Sequence, residues 1–154
     1  MTLLLTIELV PETCWFSNLR AELSKNQWDF LRKQIYAEAY HTCEICGGVG
    51  PQHPVECHEI WEYNDKKLIQ KLVGMIALCP DCHMVKHIGL ASLRGKGEEA
   101  IAHFMKVNKI TRKQADKHIQ KAFKTWQKRS TKEWTLDILI LEDYGIDIDL
   151  IKEK

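Results

Sequence analysis

Four of the six cysteines in this 154-residue chain fall into two pairs of identical spacing, Cys43-Glu44-Ile45-Cys46 and Cys79-Pro80-Asp81-Cys82, with 32 residues between them. Two intervening residues let one turn present both sulfurs to a single ion, and two such turns supply the four thiolates that a closed, tetrahedral zinc site takes. Gly47 and Gly48 allow the backbone to fold back toward the metal. Pro80, whose missing N–H is harmless in a first helical turn, starts a helix at the second pair. The pattern predicts a structural zinc that ties the Cys43 turn to the start of that helix. Free core thiols or a redox pair would account for one Cys-x-x-Cys, but not for two with matching turns. Because four thiolates leave no open position on the ion, any chemistry must come from other residues.

An apolar content of 45% over this length suits one domain with its own core, and two large domains are excluded. The opening run from Leu3 to Val10 is short, lacks a preceding basic region and is interrupted by Glu8, which predicts a strand rather than a secretion signal. Nothing approaches the roughly 18 consecutive apolar residues of a membrane span, so a soluble, cytoplasmic protein without a membrane partner is expected. That setting suits reduced, metal-binding cysteines. Cys14, in the aromatic stretch Thr13-Cys14-Trp15-Phe16, reads as a small core hydrophobe.

Ser24 or Asn26 can cap a helix over 27–40, with Trp28, Leu31, Ile35 and Ala39 on its buried face. Residues 55–63 read as a strand, with Val55, Cys57, Glu59 and Trp61 on one side and Glu56, His58, Ile60 and Glu62 on the other. A short helix over 66–73, a strand over 75–78, a helix from Pro80 to His87 that stops near Gly89, and helices over 98–106 and 111–129 follow. Residues 134–151, rich in Leu, Ile and acids, predict a last helix. The division expected is 1–42 for an N-terminal strand and helix, 43–95 for the zinc-stapled core, and 96–154 for C-terminal helices packed on the same domain.

His83 follows Cys82 directly and His87 comes four residues later, so on a helix both imidazoles share one face and can chelate one divalent ion. The zinc staple also draws the strand carrying His58 toward that helix, and three histidines can converge. His41, His53, His103 and His118 lack such a context and read as solvent-facing or capping groups.

In Cys43-Glu-Ile-Cys46, in Val55-Glu-Cys-His-Glu-Ile-Trp61 and in Leu78-Cys-Pro-Asp-Cys-His-Met-Val-Lys-His87, the chain resembles the HNH, or ββα-metal, nuclease family in its zinc-ribboned branch. The resemblance covers about residues 43–90. It implies an α+β fold with a ββα-metal core stapled by the four-cysteine zinc site and surrounded by several helices. It further implies a metal-dependent endonuclease hydrolysing DNA phosphodiesters, leaving a 5′-phosphate and a 3′-hydroxyl. His58 would be the general base that activates water, and His83 and His87 would hold a catalytic Mg²⁺, Mn²⁺, Ni²⁺ or Zn²⁺. The chain departs from the family at Gly74, where an Asn usually braces a loop, and at Cys57, where an Asp or His usually ligates the metal. Three completions of the ligand set stay open: the Cys57 thiolate, Glu59 or Glu62, or the two histidines with water.

A net charge of +1 conceals segregation, since residues 106–132 carry ten Lys/Arg and one acid while 133–154 carry seven acids and two lysines. Lys113, Lys117, Lys121, Lys124 and Lys128 form a row that either follows a phosphate backbone or is an ordinary solvated face. Lys86, between the helix histidines, and Arg94 and Lys96 beyond are expected phosphate contacts. The competing reading is an inactive zinc module that binds nucleic acid or a protein partner through the acidic tail and Trp126/Trp134. The histidine triad separates the two, because binding alone does not require it.

Overall fold

The hairpin between the two cysteine pairs organises the molecule. The computed structural model describes residues 2–14 and 18–151. In chain order it runs α1 (Leu19–Glu22), α2 (Lys25–Glu38), β1 (Glu56–Asn64), β2 (Ile69–Leu78), α3 (Pro80–Lys86), α4 (Ile88–Leu93), α5 (Gly97–Asn108), α6 (Arg112–Arg129) and β3 (Thr135–Asp137), then 3₁₀ segments Leu139–Tyr144 and Ile148–Leu150. The class is α+β, as expected. Trp15 and Phe16, read as part of an extended aromatic stretch, lie outside the described residues.

β1 and β2 pair antiparallel with Glu56 opposite Leu78, His58 opposite Ile76 and Ile60 opposite Gly74, and a bulge shifts the register between Ile60 and Trp61. The expected helix over 66–73 is absent. Asn64 Oδ1 accepts the N–H groups of Lys66 (3.1 Å) and Lys67 (2.9 Å), so a turn closes there and Ile69–Val73 extends β2 instead. Eight residues are too few for apolar spacing to separate strand from helix. The tail corrects a second expectation. Thr135–Asp137 adds a parallel edge strand beside Ile69–Lys71. Asp137 and Asp147 then accept the N–H groups of Leu139 and Asp149, punctuating the remainder into short turns rather than one helix.

The N-terminal segment bends at Leu4 and Leu5 and belongs to no sheet, contrary to the strand expected. Side chains from α5 and α6 satisfy its backbone: Asn108 Oδ1 accepts from Leu4 and Leu5 N–H (2.9 and 3.0 Å), Asn108 Nδ2 donates to the Leu5 carbonyl (2.8 Å), Ile7 N–H donates to His118 (3.1 Å), and Trp126 Nε1 donates to the Val10 carbonyl (3.0 Å). Backbone polar groups next to a core must find such partners.

Helix starts follow local chemistry. Ser24 with Gln27 and Thr111 with Gln114 form capping boxes at α2 and α6, and Pro80 occupies the first turn of α3. α3 breaks at His87 (φ −109, ψ 44), and helix resumes through Gly89 as α4 rather than stopping there. Two buried clusters flank the hairpin. One joins Leu5, Ile7, Leu78, Val85, Ile88 and Phe104 with Cys43, Cys79 and Cys82. The other joins Leu19, Leu31, Ile35, Cys57, Leu72 and Leu141. Each draws on residues before, within and after 43–95, so the three segments share their cores. Phe104, fully buried beneath α3, contributes about 2–3 kcal/mol through its apolar surface. Among the described residues no helix is long and apolar enough to cross a membrane.

Candidate metal centres

The four sulfurs of Cys43, Cys46, Cys79 and Cys82 lie within 4.8 Å of one another. Cys46 Sγ and Cys79 Sγ are 3.6 Å apart, close to the roughly 3.8 Å that separates two thiolates on one tetrahedral zinc. Both turns are built alike. Cys46 N–H points at Cys43 Sγ (3.5 Å) and Cys82 N–H at Cys79 Sγ (3.4 Å), and Gly48 N–H adds a contact to Cys46 Sγ (3.4 Å). These N–H groups favour thiolate over thiol. The Cys82 thiol hydrogen-bonds to Cys43, drawing the Cys43 thiol down and pushing its own up. Four sulfurs this close ionise together only beside a cation, so the donor set fits a divalent, thiophilic metal. His103, read from the sequence as solvent-facing or capping, instead brings Nε2 to 3.2 Å from Cys82 Sγ.

On the other side of α3, ring nitrogens of His58, His83 and His87 also lie within 4.8 Å of one another. β1 supplies His58 on the face opposite Cys57, and α3 supplies the other two one turn apart. The Nε2 atoms of His83 and His87 are 3.1 Å apart, near the roughly 3.3 Å expected of two imidazoles on one tetrahedral ion. The His58 ring stands edge-on to both, with centroids 5.2 Å and 5.3 Å away, and its Nδ1 is buried without a hydrogen-bond partner. Burial, then repulsion from His83 and His87, depresses His58 to about 2. Burial and then His83 depress His87 to about 4, although part of its ring reaches solvent. Both are neutral at physiological pH, with lone pairs free for a metal or a proton. Three imidazoles this close, one with a buried nitrogen lacking a partner, fit a divalent ion with open positions.

Glu56, two residues before His58 on the same strand face, was missed by sequence reasoning. Its Oε2 accepts from His83 Nδ1–H at 2.5 Å and its Oε1 from His53 Nε2–H at 3.0 Å. These bonds, that to His83 first, hold its carboxyl down at about 2. The period-2 face shared with His58 was the available signal. His53 is therefore part of the site's surroundings.

The alternative ligands are not there. Cys57 points into the apolar cluster with Leu31 and Leu72, and burial, then Glu59, pushes its thiol up to about 12. Glu59 lies on that same side and accepts the Leu19 N–H at 2.7 Å. Glu62 lies four residues beyond His58 across the bulge, roughly 13 Å along the strand.

Expected phosphate contacts divide. Lys86 Nζ is held by Glu8 (2.9 Å) and Thr6 (3.2 Å), and the side chain is only 10% exposed, so it anchors the N-terminal segment instead. Arg94 and Lys96 are exposed at the α4–α5 corner. Lys113, Lys117, Lys121, Lys124 and Lys128 are exposed on α6, on the side opposite Ala115, Ile119, Ala122 and Trp126. Phe123 and Trp126 line a hollow with His58 and His87, so the lysine row turns away from the histidines. Arg20, Lys25 and Arg32 line, together with His83 and His87, a hollow of about 950 Å³. Arg32 and Lys25 share Asp29, each at 2.9 Å.

Compared with known proteins, the chain finds no counterpart: no family model matches it, and neither does any curated protein or solved structure.

Proposed function

We propose that this chain is a metal-dependent endonuclease of the HNH type that hydrolyses DNA phosphodiesters at the histidine cluster, with zinc at the four cysteines as a purely structural staple. The observation that carries the reading is the convergence of His58, His83 and His87 across the junction of β1 and α3. A packing role would not need three imidazoles with ring nitrogens this close together, one of the rings carrying a buried nitrogen without a partner.

In this reading His83 and His87 would hold a divalent ion through their Nε2 atoms. When bound, the ion supplies Lewis-acid stabilisation of the scissile phosphate and the departing 3′ oxygen. His58, kept neutral by burial, takes the proton from the attacking water at a ring nitrogen and later releases it to solvent. His83 and His87 would position the ion next to the base, which would bring the attacking water and the phosphate together. Arg20 and Lys25, at the rim of the adjoining hollow, take the neighbouring backbone phosphates. Cleavage yields a 5′-phosphate and a 3′-hydroxyl.

The test is nicking of supercoiled plasmid by purified protein with Mg²⁺, Mn²⁺ or Ni²⁺, beside His58→Ala prepared identically. Metal-dependent nicking reduced at least about 100-fold in the variant, with zinc content unchanged, supports the assignment. Absence of cleavage with every metal overturns it in favour of an inactive zinc module that binds nucleic acid or a protein partner.

A further inference from the structure

The two histidines of α3 differ in what stands behind them. His83 Nε2 faces His87 Nε2 at 3.1 Å, while His83 Nδ1 is met at 2.5 Å by Glu56 Oε2. A carboxylate only accepts, so Nδ1 carries a proton, and in the neutral imidazole that a metal ligand must be, Nε2 then keeps the lone pair. Left to water, a neutral imidazole carries its proton mostly on Nε2, which would aim a hydrogen at the place a metal must occupy.

We propose that Glu56 is the positioning residue of the histidine site, fixing His83 in the Nδ1–H tautomer and the ring orientation that divalent-metal ligation requires. The inference rests on the reading of His83 as a metal ligand. Glu56 is itself held on both sides. Its other oxygen accepts from His53 at 3.0 Å, so the carboxylate does not swing into the ligand position and compete with the imidazoles. The hairpin register pairs Glu56 with Leu78, the residue before Cys79. The strand that carries Glu56 is thus fixed against the start of α3, and a carboxylate one pleat from His58 lands behind His83. Carboxylates in this position typically strengthen metal binding by about 10- to 100-fold, through orientation and a more basic ligand nitrogen.

The experiment uses full-length protein with its structural zinc in place, compared as wild type, Glu56→Ala and Glu56→Gln. Two quantities are read: the His83 tautomer, by ¹⁵N NMR before the second metal is added, and Ni²⁺ affinity by calorimetry. Expected are Nδ1 protonation of His83 in wild type, loss of that preference in Glu56→Ala, and Ni²⁺ binding weakened about 10- to 100-fold. Glu56→Gln, which keeps an oxygen acceptor but no charge, should fall between. A merely structural role would lower stability and leave the tautomer alone. Wild type that binds no Ni²⁺ through these histidines overturns the ligand assignment and this inference together. Wild type that binds it, with Glu56→Ala binding equally well or keeping the Nδ1–H tautomer, overturns this inference alone. Circular dichroism and zinc content confirm that the variants fold, which is expected because Glu56 is partly exposed at the first residue of β1.

Discussion

Glu44 and Ala77 hold each other twice: the Glu44 N–H donates to the Ala77 carbonyl at 2.9 Å, and the Ala77 N–H donates to Glu44 Oε2 at 2.7 Å. The first cysteine turn is therefore docked on β2 by its own backbone and side chain, whereas the second pair begins α3. Zinc would join this docked turn to the helix start that follows β2 directly. Cys79→Ser should lose the zinc and destabilise the whole protein, because Cys43, Cys79 and Cys82 lie inside the apolar cluster with Leu78 and Phe104. Metal analysis and thermal unfolding check this. A zinc-free variant that melts where the wild type does would contradict a structural staple.

Cys57→Ala separates two accounts of the histidine site. If the thiol completed the ligand set, its loss would weaken metal binding strongly. Because it is buried among Leu31, Leu72 and Ile35 on the opposite strand face, the substitution should cost about 1 kcal/mol of stability and leave Ni²⁺ affinity unchanged. Denaturant unfolding and metal titration of the same preparation give both numbers.

Acid should weaken the fold in two stages that begin at different pH and overlap below about 4.5. His58 is drawn down to about 2 by burial, and in the unfolded chain it titrates near 6.5. Below that value the unfolded chain takes up a proton that the folded one refuses, so stability is full above about pH 6.5 and declines as pH falls toward 4. The slope from His58 approaches about 1.4 kcal/mol per pH unit, and His87, partly open to solvent, adds a smaller share. Glu56 acts later: its carboxyl is depressed to about 2, so its contribution is present above about 4.5 and is lost only as pH drops below that. Urea midpoints followed from neutral pH into acid should fall more gently for His58→Gln than for wild type between about pH 6.5 and 4.5. Parallel curves would remove the neutral, buried state of His58 from the account.

What the sequence carries plainly is chemistry fixed by local spacing. Two Cys-x-x-Cys turns and His-x-x-x-His bring their side chains together without reference to the rest of the fold, and the alternation through His58 places it on the face away from Cys57. Less legible is what depends on register or on distant side chains. Glu56 reaches His83 only because β1 and β2 pair as they do and α3 follows directly. The N-terminal segment alternates like a strand, yet its partners are Asn108, His118 and Trp126 rather than another backbone, and no local pattern distinguishes the two. The lysine row was visible, but the direction it faces follows from which side of α6 the apolar residues bury. Cys57 was a candidate ligand because it holds the place where the resembled family has an Asp or His, and here strand geometry turns it to the face opposite His58.

That geometry relocates the expected nucleic-acid contact. Lysines on the far side of α6 raise the general potential of the protein, but under the proposed function a phosphate chain at His83 and His87 would lie in the hollow that Arg20 and Lys25 also line. Removing one cation that neutralises a phosphate should lower the slope of log K against log salt by about 1. Arg20→Ala with Lys25→Ala should therefore reduce the slope by about 1–2 and weaken binding to all sequences alike, as backbone contacts do. Replacement of Lys113, Lys117, Lys121 and Lys124 by Gln should change the slope on a short duplex by less, despite removing twice the charge. Fluorescence anisotropy over a salt series measures both variants directly. If the α6 variant shows the greater fall in slope, the duplex lies along that helix, and the hollow beside the histidines is not where the backbone runs.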